Sequence, residues 1–320
     1  MKAVVRTRYG SPEVLEVREL ALPEVGPDQV LVRSHASSVN AYDWHVLRGR
    51  PYLARLTEGF PRPKEMRLGL DVAGVVEAVG ANVTDLRTGD RVFGSRLGAF
   101  AEYVSGRTMA PIPAGLTFEQ AAALPTAGFT ALQAVRDQGG VKAGDRVLIL
   151  GAGGGVGTIA VQIAKALGAE VTAATRTAHV DLVAGLGADE VIDYTRRDVT
   201  REHARFDVIV DIAGTAPLGR LAGLVARGGR IVMVAPGTGQ WIGPIARLVA
   251  AQVRSRIGGG RFRPFLAKPT RDDLFALKEL VETGKLRPVI ARTFPLEQIG
   301  QAVRCVEDGR VGGKVIVTTR

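Results

Sequence analysis

Apolar residues recur along this chain with two different periods, and the change falls near residue 117. Before it, short runs rich in β-branched residues occur at 2–9, 14–20, 30–34, 71–79, 91–94 and 100–105. Turn signals such as Gly26-Pro27-Asp28 and Gly89-Asp90 separate them, so this part is predicted to be an all-β module, a partly open barrel. Thr117-Phe118-Glu119-Gln120 then has the form of a capping box and opens an Ala-rich helix. Strand and helix patterns alternate from there. An apolar strand at 146–150 is followed by Val156, Ile159, Ala160, Ile163, Ala164 and Leu167 at helical spacing. A second strand is predicted at 171–175, a second helix at 180–186, and further strands at 190–193, 208–212 and 230–234. Such alternation predicts a parallel sheet with helices on both faces. A final helix at 296–306 and strand at 314–318 can return to the first module.

The composition, 46% apolar and 23% charged over 320 residues, is that of a soluble globular protein. No run of about 18 apolar residues is present to span a bilayer. The opening Met1-Lys2-Ala3-Val4-Val5-Arg6 reads as a strand and not as a signal peptide, and the expected location is cytoplasmic. The single cysteine, Cys305, rules out an intrachain disulfide and a thiolate zinc cluster; it reads as a small core residue of an amphipathic helix. The net charge of +10 is unevenly placed: from Ile212 to Arg271 there are ten Lys or Arg and no Asp or Glu. A basic stretch suits an anionic cofactor, nucleic acid or an acidic membrane, and it is also what an Arg-rich composition produces by itself.

The motif with the most chemistry in it is Leu148-Ile149-Leu150-Gly151-Ala152-Gly153-Gly154-Gly155-Val156-Gly157, set between a predicted strand and a predicted helix. Glycines there let the main chain turn sharply and approach a pyrophosphate, which the free N–H groups and positive end of the helix then hold. NAD binders close the second strand with Asp or Glu to grip the ribose hydroxyls. This strand instead ends Thr175-Arg176-Thr177. A carboxylate would repel a 2′-phosphate, whereas Arg176 can fork onto it and Thr175 can hydrogen-bond it. NADPH is therefore the expected cofactor. The competing reading of Arg176 is an ordinary solvated side chain.

At this point the chain resembles the zinc-independent quinone oxidoreductase (zeta-crystallin-like) branch of the medium-chain dehydrogenase/reductase superfamily, almost end to end. Its landmarks are Ala36-Ser37-Ser38-Val39-Asn40-Ala41-Tyr42-Asp43-Trp44, Gly69-Leu70-Asp71-Val72-Ala73-Gly74, Gly89-Asp90-Arg91-Val92-Phe93-Gly94, Gly98-Ala99-Phe100-Ala101-Glu102-Tyr103, Leu124-Pro125-Thr126-Ala127-Gly128 and the glycine cradle. The resemblance implies an α/β fold. A Rossmann doubly wound parallel sheet (117–267) would be inserted in a GroES-like, chaperonin-10-like β-barrel catalytic domain (1–116 plus 268–320). It further implies a homodimer. By motif position, Asn40, Thr126 and Thr130 would line the nicotinamide side and Gly154, Gly155 and Val156 would hold the pyrophosphate. Thr175, Arg176 and Tyr194 would surround the adenosine phosphate, with Ala213, Ala235, Phe265 and Lys314 flanking the cofactor. Zinc-using relatives carry Cys where Asn40 stands and Gly-His-Glu where this chain has Gly69-Leu70-Asp71. His35, His45, His179 and His203 lack ligand spacing, so no metal is expected.

Losing zinc removes the Lewis acid that polarises a plain carbonyl. Hydride addition to a quinone, enal or enone is less demanding, because the developing enolate needs only hydrogen-bond donors and a proton source. Asn40, Tyr52 and His45 are the candidate catalytic residues: Asn40 as a carbonyl or nicotinamide-ribose contact, Tyr52 at the substrate mouth, His45 as a proton relay. A plain packing role competes for Tyr52 and His45. The stretch from Trp241-Ile242-Gly243-Pro244 to Arg254-Ser255-Arg256 looks like an apolar helix with a basic end, either packed beside the cleft or dimer seam or resting on an anionic membrane. Two readings from other classes remain: an NADPH-binding sensor or scaffold without turnover, and a phosphate-mediated RNA binder. No aromatic-rich strand motif supports the latter, and no nucleic acid is expected.

Overall fold

The computed structural model describes residues 1–201, 204–234, 243–257 and 261–319. They form two compact units, Met1–Ala127 with Pro269–Thr283 and Pro288–Arg320, and Gly128–Lys268 with Gly284–Arg287. The division thus falls at Ala127/Gly128 and not at 116/117. Thr117 does cap a helix, Phe118–Ala122, by accepting from Gln120 N at 3.2 Å while Gln120 Oε1 accepts from Thr117 N at 3.0 Å. Yet Ala121 and Ala122 are buried, and the helix packs on strands Val30–Val39 and Asp71–Val79 of the first unit. The change of hydrophobic period marks where a helix starts, which is not where the packing partner changes. The return to the first unit is likewise interrupted. Residues Gly284–Arg287 stay with the second unit, where Arg287 N donates to Gln162 Oε1 at 2.9 Å and Gln162 Nε2 donates to the Arg287 carbonyl at 3.1 Å.

In the first unit, Val30–Val39 is the central strand. It pairs antiparallel with Lys314–Thr318, with Asp71–Val79 and with Tyr103–Gly106. Ile290–Pro295 lies outside Lys314–Thr318, and Arg91–Ser95 and Met109–Pro111 continue the sheet beyond Asp71–Val79. The expected strand at 30–34 therefore runs on to Val39, through polar positions (Ser34, Ser37, Ser38) that are themselves buried. One core gathers Val4, Val39, Leu47, Phe100, Ile299, Val303 and Val315; another gathers Val32, Val72, Val76, Val92 and Met109. Helix Ile299–Glu307 packs on helix Ala41–Arg48, and Arg48 clamps Glu307 with two hydrogen bonds of 2.9 Å. Cys305 is partly buried against the first of these cores.

Among the described residues the second unit holds six parallel strands in the order Glu190–Asp193, Glu170–Thr175, Arg146–Leu150, Phe206–Asp211, Val225–Met233, Phe262–Pro264. Counted from Arg146–Leu150 this is the 3-2-1-4-5-6 order of a doubly wound dinucleotide-binding sheet. Its central strands, Arg146–Leu150 and Phe206–Asp211, are near-continuous buried runs, because the middle of a parallel sheet is covered on both faces. Of the six residues at helical spacing in the sequence, helix Gly155–Ala166 buries Ile159, Ala160, Ile163 and Ala164, while Val156 and Leu167 at its two ends are half-buried. The basic helix Gly243–Ile257 has one packed side, with Ala251 fully buried and Arg247 drawn to the buried Asp211. Val249, Val253, Arg254 and Arg256 face solvent. No helix among the described residues is long and apolar enough to cross a membrane. Ala235, His203 and residues 241–242 and 258–260 lie outside the described residues.

Candidate active site and nucleotide cradle

The second unit supplies a cradle at the point where its strand order reverses. Strand Arg146–Leu150 ends at Gly151, whose φ of +88° is a left-handed conformation open to glycine. The next turn is as tight as the chain permits. A Cβ on Gly157 would lie 2.2 Å from the Gly151 carbonyl oxygen, and one on Gly153 would lie 2.5 Å from Thr175 Oγ1. Gly154 caps helix Gly155–Ala166, and the half-buried Gly154, Gly155 and Val156 form its entrance. The first N–H groups of a helix have no intrahelical acceptor, and they coincide with its positive end. Ala213 closes the crevice from the neighbouring strand, its N donating to the Leu150 carbonyl at 3.2 Å.

Thr175 ends the second strand, buried, and Tyr194 at the end of the third hydrogen-bonds its carbonyl through N at 3.0 Å. Arg176 follows Thr175, half-buried, and no carboxylate among the described residues is within ion-pairing distance of it. Asp193, the carboxylate closing the third strand, is engaged by Thr177 Oγ1 at 2.7 Å and by Thr195 N and Oγ1 at 2.9 and 2.7 Å. Those bonds, Thr177 first, lower its pKa. A pyridine dinucleotide fits this cradle: glycines where a Cβ would collide, free helix donors, and a cation at the end of the second strand. Phe265 follows the edge strand Phe262–Pro264, half-buried, its N 3.4 Å from the Met233 carbonyl.

The first unit holds a buried polar network that strand register assembles. Val315 pairs with Val39, and Ser38 pairs with Asp71. Lys314 at one strand's start, Asn40 just past another's end and Asp71 at a third's start therefore meet at one edge of the sheet. Asp71, fully buried, accepts four hydrogen bonds: Ser38 Oγ at 2.6 Å and Asn40 Nδ2 at 2.9 Å on one oxygen, Thr126 N at 2.8 Å and Thr126 Oγ1 at 2.5 Å on the other. The bonds to Thr126 cap the first turn of helix Pro125–Leu132 with negative charge, the favourable sign at that end. Thr130 is one turn further along the same helix and half-buried. Lys314 Nζ donates to Asn40 Oδ1 at 2.6 Å and lies 3.5 Å from Asp71 Oδ2.

Asp43 completes the network, accepting from Asn40 N at 2.8 Å and Gly69 N at 3.0 Å. Burial pushes its carboxyl up to about 7 despite these donors, and the charge of Asp71 adds to the effect. Burial lowers the Lys314 ammonium pKa, with Asp71 and Asp43 opposing that shift. The donors gathered here are the Asn40 amide and the Asp71 and Asp43 carboxylates, with the Lys314 ammonium between them and neither thiolate nor imidazole in the network. Among the described residues no group of three or more His, Cys, Asp or Glu is placed to hold a metal.

Two family models match the chain: the alcohol dehydrogenase GroES-like domain over residues 26–115 and the zinc-binding dehydrogenase domain over 186–317. Pig quinone oxidoreductase is 34% identical, covering 99% of this chain and 97% of the relative. The 2-methylene-furan-3-one reductase of tomato is 33% identical over 99% of this chain and 79% of its own length. Escherichia coli quinone oxidoreductase, solved in complex with NADPH, superposes with a TM-score of 0.82 at 25% identity over 99% of this chain and all of its own. The chain belongs to the quinone oxidoreductase branch of the medium-chain dehydrogenase/reductase superfamily. The GroES-like module and the Rossmann-like parallel sheet are those of that superfamily.

Within this quinone oxidoreductase fold the sequence-predicted residues, apart from Thr130, Phe265 and Ala235, fall into three groups. Asn40, Thr126 and Lys314 join one hydrogen-bonded network. Gly154, Gly155, Val156, Thr175, Arg176, Tyr194 and Ala213 surround the cradle. Tyr52 and His45 sit in aromatic stacks. The Arg55 guanidinium is 4.7 Å from the Tyr52 ring and 4.5 Å from Tyr9, and His45 stacks on Trp44 at 3.6 Å. Burial lowers the pKa of His45, and its buried Nδ1 has no hydrogen-bond partner among the described residues. Sequence reasoning missed Asp71 and Asp43 as site residues. The available signal was a carboxylate opening a strand, Asp71-Val72-Ala73, that is otherwise apolar enough to be core.

Proposed function

We propose that this chain is an NADPH-dependent reductase that moves hydride to a quinone or an α,β-unsaturated carbonyl without zinc. The observation that carries the cofactor choice is Arg176, a cation with no carboxylate partner among the described residues, standing where NAD binders place a carboxylate and directly after the buried Thr175 that packs against Gly153. When bound, the reduced nicotinamide supplies the hydride. The chain's own residues bind and orient. Gly154, Gly155 and Val156 hold the pyrophosphate, and Thr175, Arg176 and Tyr194 hold the adenosine phosphate.

Asn40 spends both amide hydrogens inside the protein, on Asp71 and on the Ser38 carbonyl at 3.2 Å. Its amide has no N–H left for a substrate oxygen, which favours a ribose-side acceptor role over a carbonyl contact. Lys314 fixes which end of that amide is the acceptor. The buried ammonium also replaces a metal as the positive charge of the network, and this supports zinc independence. Reduction of an enone or quinone is the reaction class that such a site can carry, since its charge develops on an oxygen remote from the attacked carbon and needs hydrogen bonds rather than a Lewis acid.

The test is NADPH and NADH oxidation over a panel of quinones, enals and enones, with metal analysis of the purified protein. Turnover with NADPH preferred and no stoichiometric zinc is expected. Arg176→Ala should raise the Kd for NADPH about tenfold, equivalent to ~1.4 kcal/mol, and leave NADH binding near its starting value. Tight NADPH binding with no turnover of any acceptor would leave a sensor or scaffold instead.

A further inference from the structure

A cavity of ≈ 510 Å³ in the first unit is lined by Gln29, Leu70, Ser95, Arg96, Leu97, Arg107, Thr108 and Pro269. Its wall is joined to the polar network by a single peptide bond, because Leu70 immediately precedes Asp71. The Arg96 backbone ties the cavity to the same strand, with Arg96 N donating to the Leu70 carbonyl at 2.7 Å. The chemistry of the lining is mixed in a specific way. Leu70 and Leu97 are apolar, Ser95 and Thr108 carry hydroxyls, and the exposed Arg96 and Arg107 complete the lining.

Those two cations differ. Arg107 reaches Asp28 at 3.3 Å. The Arg96 side chain has no carboxylate partner among the described residues. Its stem runs over Gly106, where an added Cβ would lie 3.2 Å from Arg96 Cβ and 3.4 Å from Cγ. Glycine at 106 therefore leaves the groove along which Arg96 lies beside the cavity. A guanidinium with no carboxylate partner among the described residues, in a lining that also carries hydroxyls, is a fork for a carboxylate, and the leucines suit a hydrophobic body.

We infer that this cavity is an acceptor subsite and that the preferred acceptor is an enone or quinone bearing a carboxylate, which Arg96 grips while Leu70 and Leu97 cover the apolar part. The inference rests on the reductase reading above and narrows its substrate class.

β-Benzoylacrylate and its methyl ester present the same enone with and without the negative charge, so the acid-over-ester ratio of kcat/KM isolates the subsite. For the full chain with NADPH, Arg96→Gln should lower that ratio about tenfold. Arg96→Lys, which keeps the charge and loses the fork, should lower it less. Arg87→Gln removes an equal charge from a side chain that is 90% exposed and outside the cavity, and should leave the ratio unchanged. A ratio indifferent to Arg96→Gln, or lowered equally by Arg87→Gln, overturns the subsite while leaving the reductase reading in place. So does an Arg96→Gln protein whose main defect is a raised KM for NADPH, because the arginine then serves the cofactor. No turnover of acid, ester or naphthoquinone by the unaltered protein overturns the reductase reading and the subsite with it.

Discussion

The cradle in the second unit and the polar network in the first are built by opposite means. The cradle is local: its five glycines fall within seven consecutive positions from Gly151 to Gly157, and the backbone conformation they permit is the function. The network is assembled by register. Ser38, Asp71, Thr126 and Lys314 come from four stretches of chain and meet because three strands pair as they do. The lesson concerns failure. A backbone device is damaged by adding atoms, whereas a buried polar network is damaged by removing them.

The sharpest way to break that contrast is at Asp71. Asp71→Ala leaves the Lys314 ammonium, the Asn40 amide and Thr126 without their common acceptor, and should cost ~3–5 kcal/mol of stability, read by chemical denaturation. Adding Lys314→Met should recover part of that loss, since the uncompensated buried charge is then gone. Equal stability of the single and double variants would show that the ion pair is not what holds the network.

Gly157→Ala tests the cradle from the other side. Its Cβ meets backbone, the Gly151 carbonyl at 2.2 Å and Ala152 Cα at 2.6 Å, so the turn itself must move. A cost of ~1–3 kcal/mol is expected, with NADPH affinity falling at least tenfold in titration. Gly153→Ala meets side-chain atoms of Thr175 and His179 rather than backbone, and should do less on both counts.

Asp43 sharpens the comparison through pH. Its pKa is 3.8 as a free carboxyl and about 7 in the fold, so the folded state holds the proton more tightly than the unfolded one. Its contribution to stability is fully present below the unfolded value and is lost as pH rises through about 7. Asp43→Asn cannot titrate. The difference in Tm between the unaltered protein and this variant should therefore move against the unaltered protein from pH ~4 to ~8. A constant difference across that range would contradict the raised pKa. The smallest effect belongs to Tyr52→Phe. The ring that stacks on Arg55 is kept, and kcat/KM should fall by less than about threefold, or ~0.7 kcal/mol. Complete loss of activity with cofactor binding intact would instead make the hydroxyl essential.

The hydrophobic periods, the glycine turn and the absence of a carboxylate after Thr175 were all legible in the sequence, because each is expressed within a few consecutive residues. They were enough for the two architectures, the cradle and the expectation of NADPH. The place where one unit ends was not legible, since Phe118–Ala122 reads as the first helix of the second unit but buries its alanines on the sheet of the first. Nor could the sequence say that Asn40 is spoken for on every hydrogen it has, or that Lys314 is held inside the protein. Those facts depend on strand register, which brings Lys314 to the Val39 carbonyl, 275 positions away in the chain. Local sequence determines what a backbone segment can do. Only the tertiary fold decides which buried charges become neighbours, and so which of them can be tolerated at all.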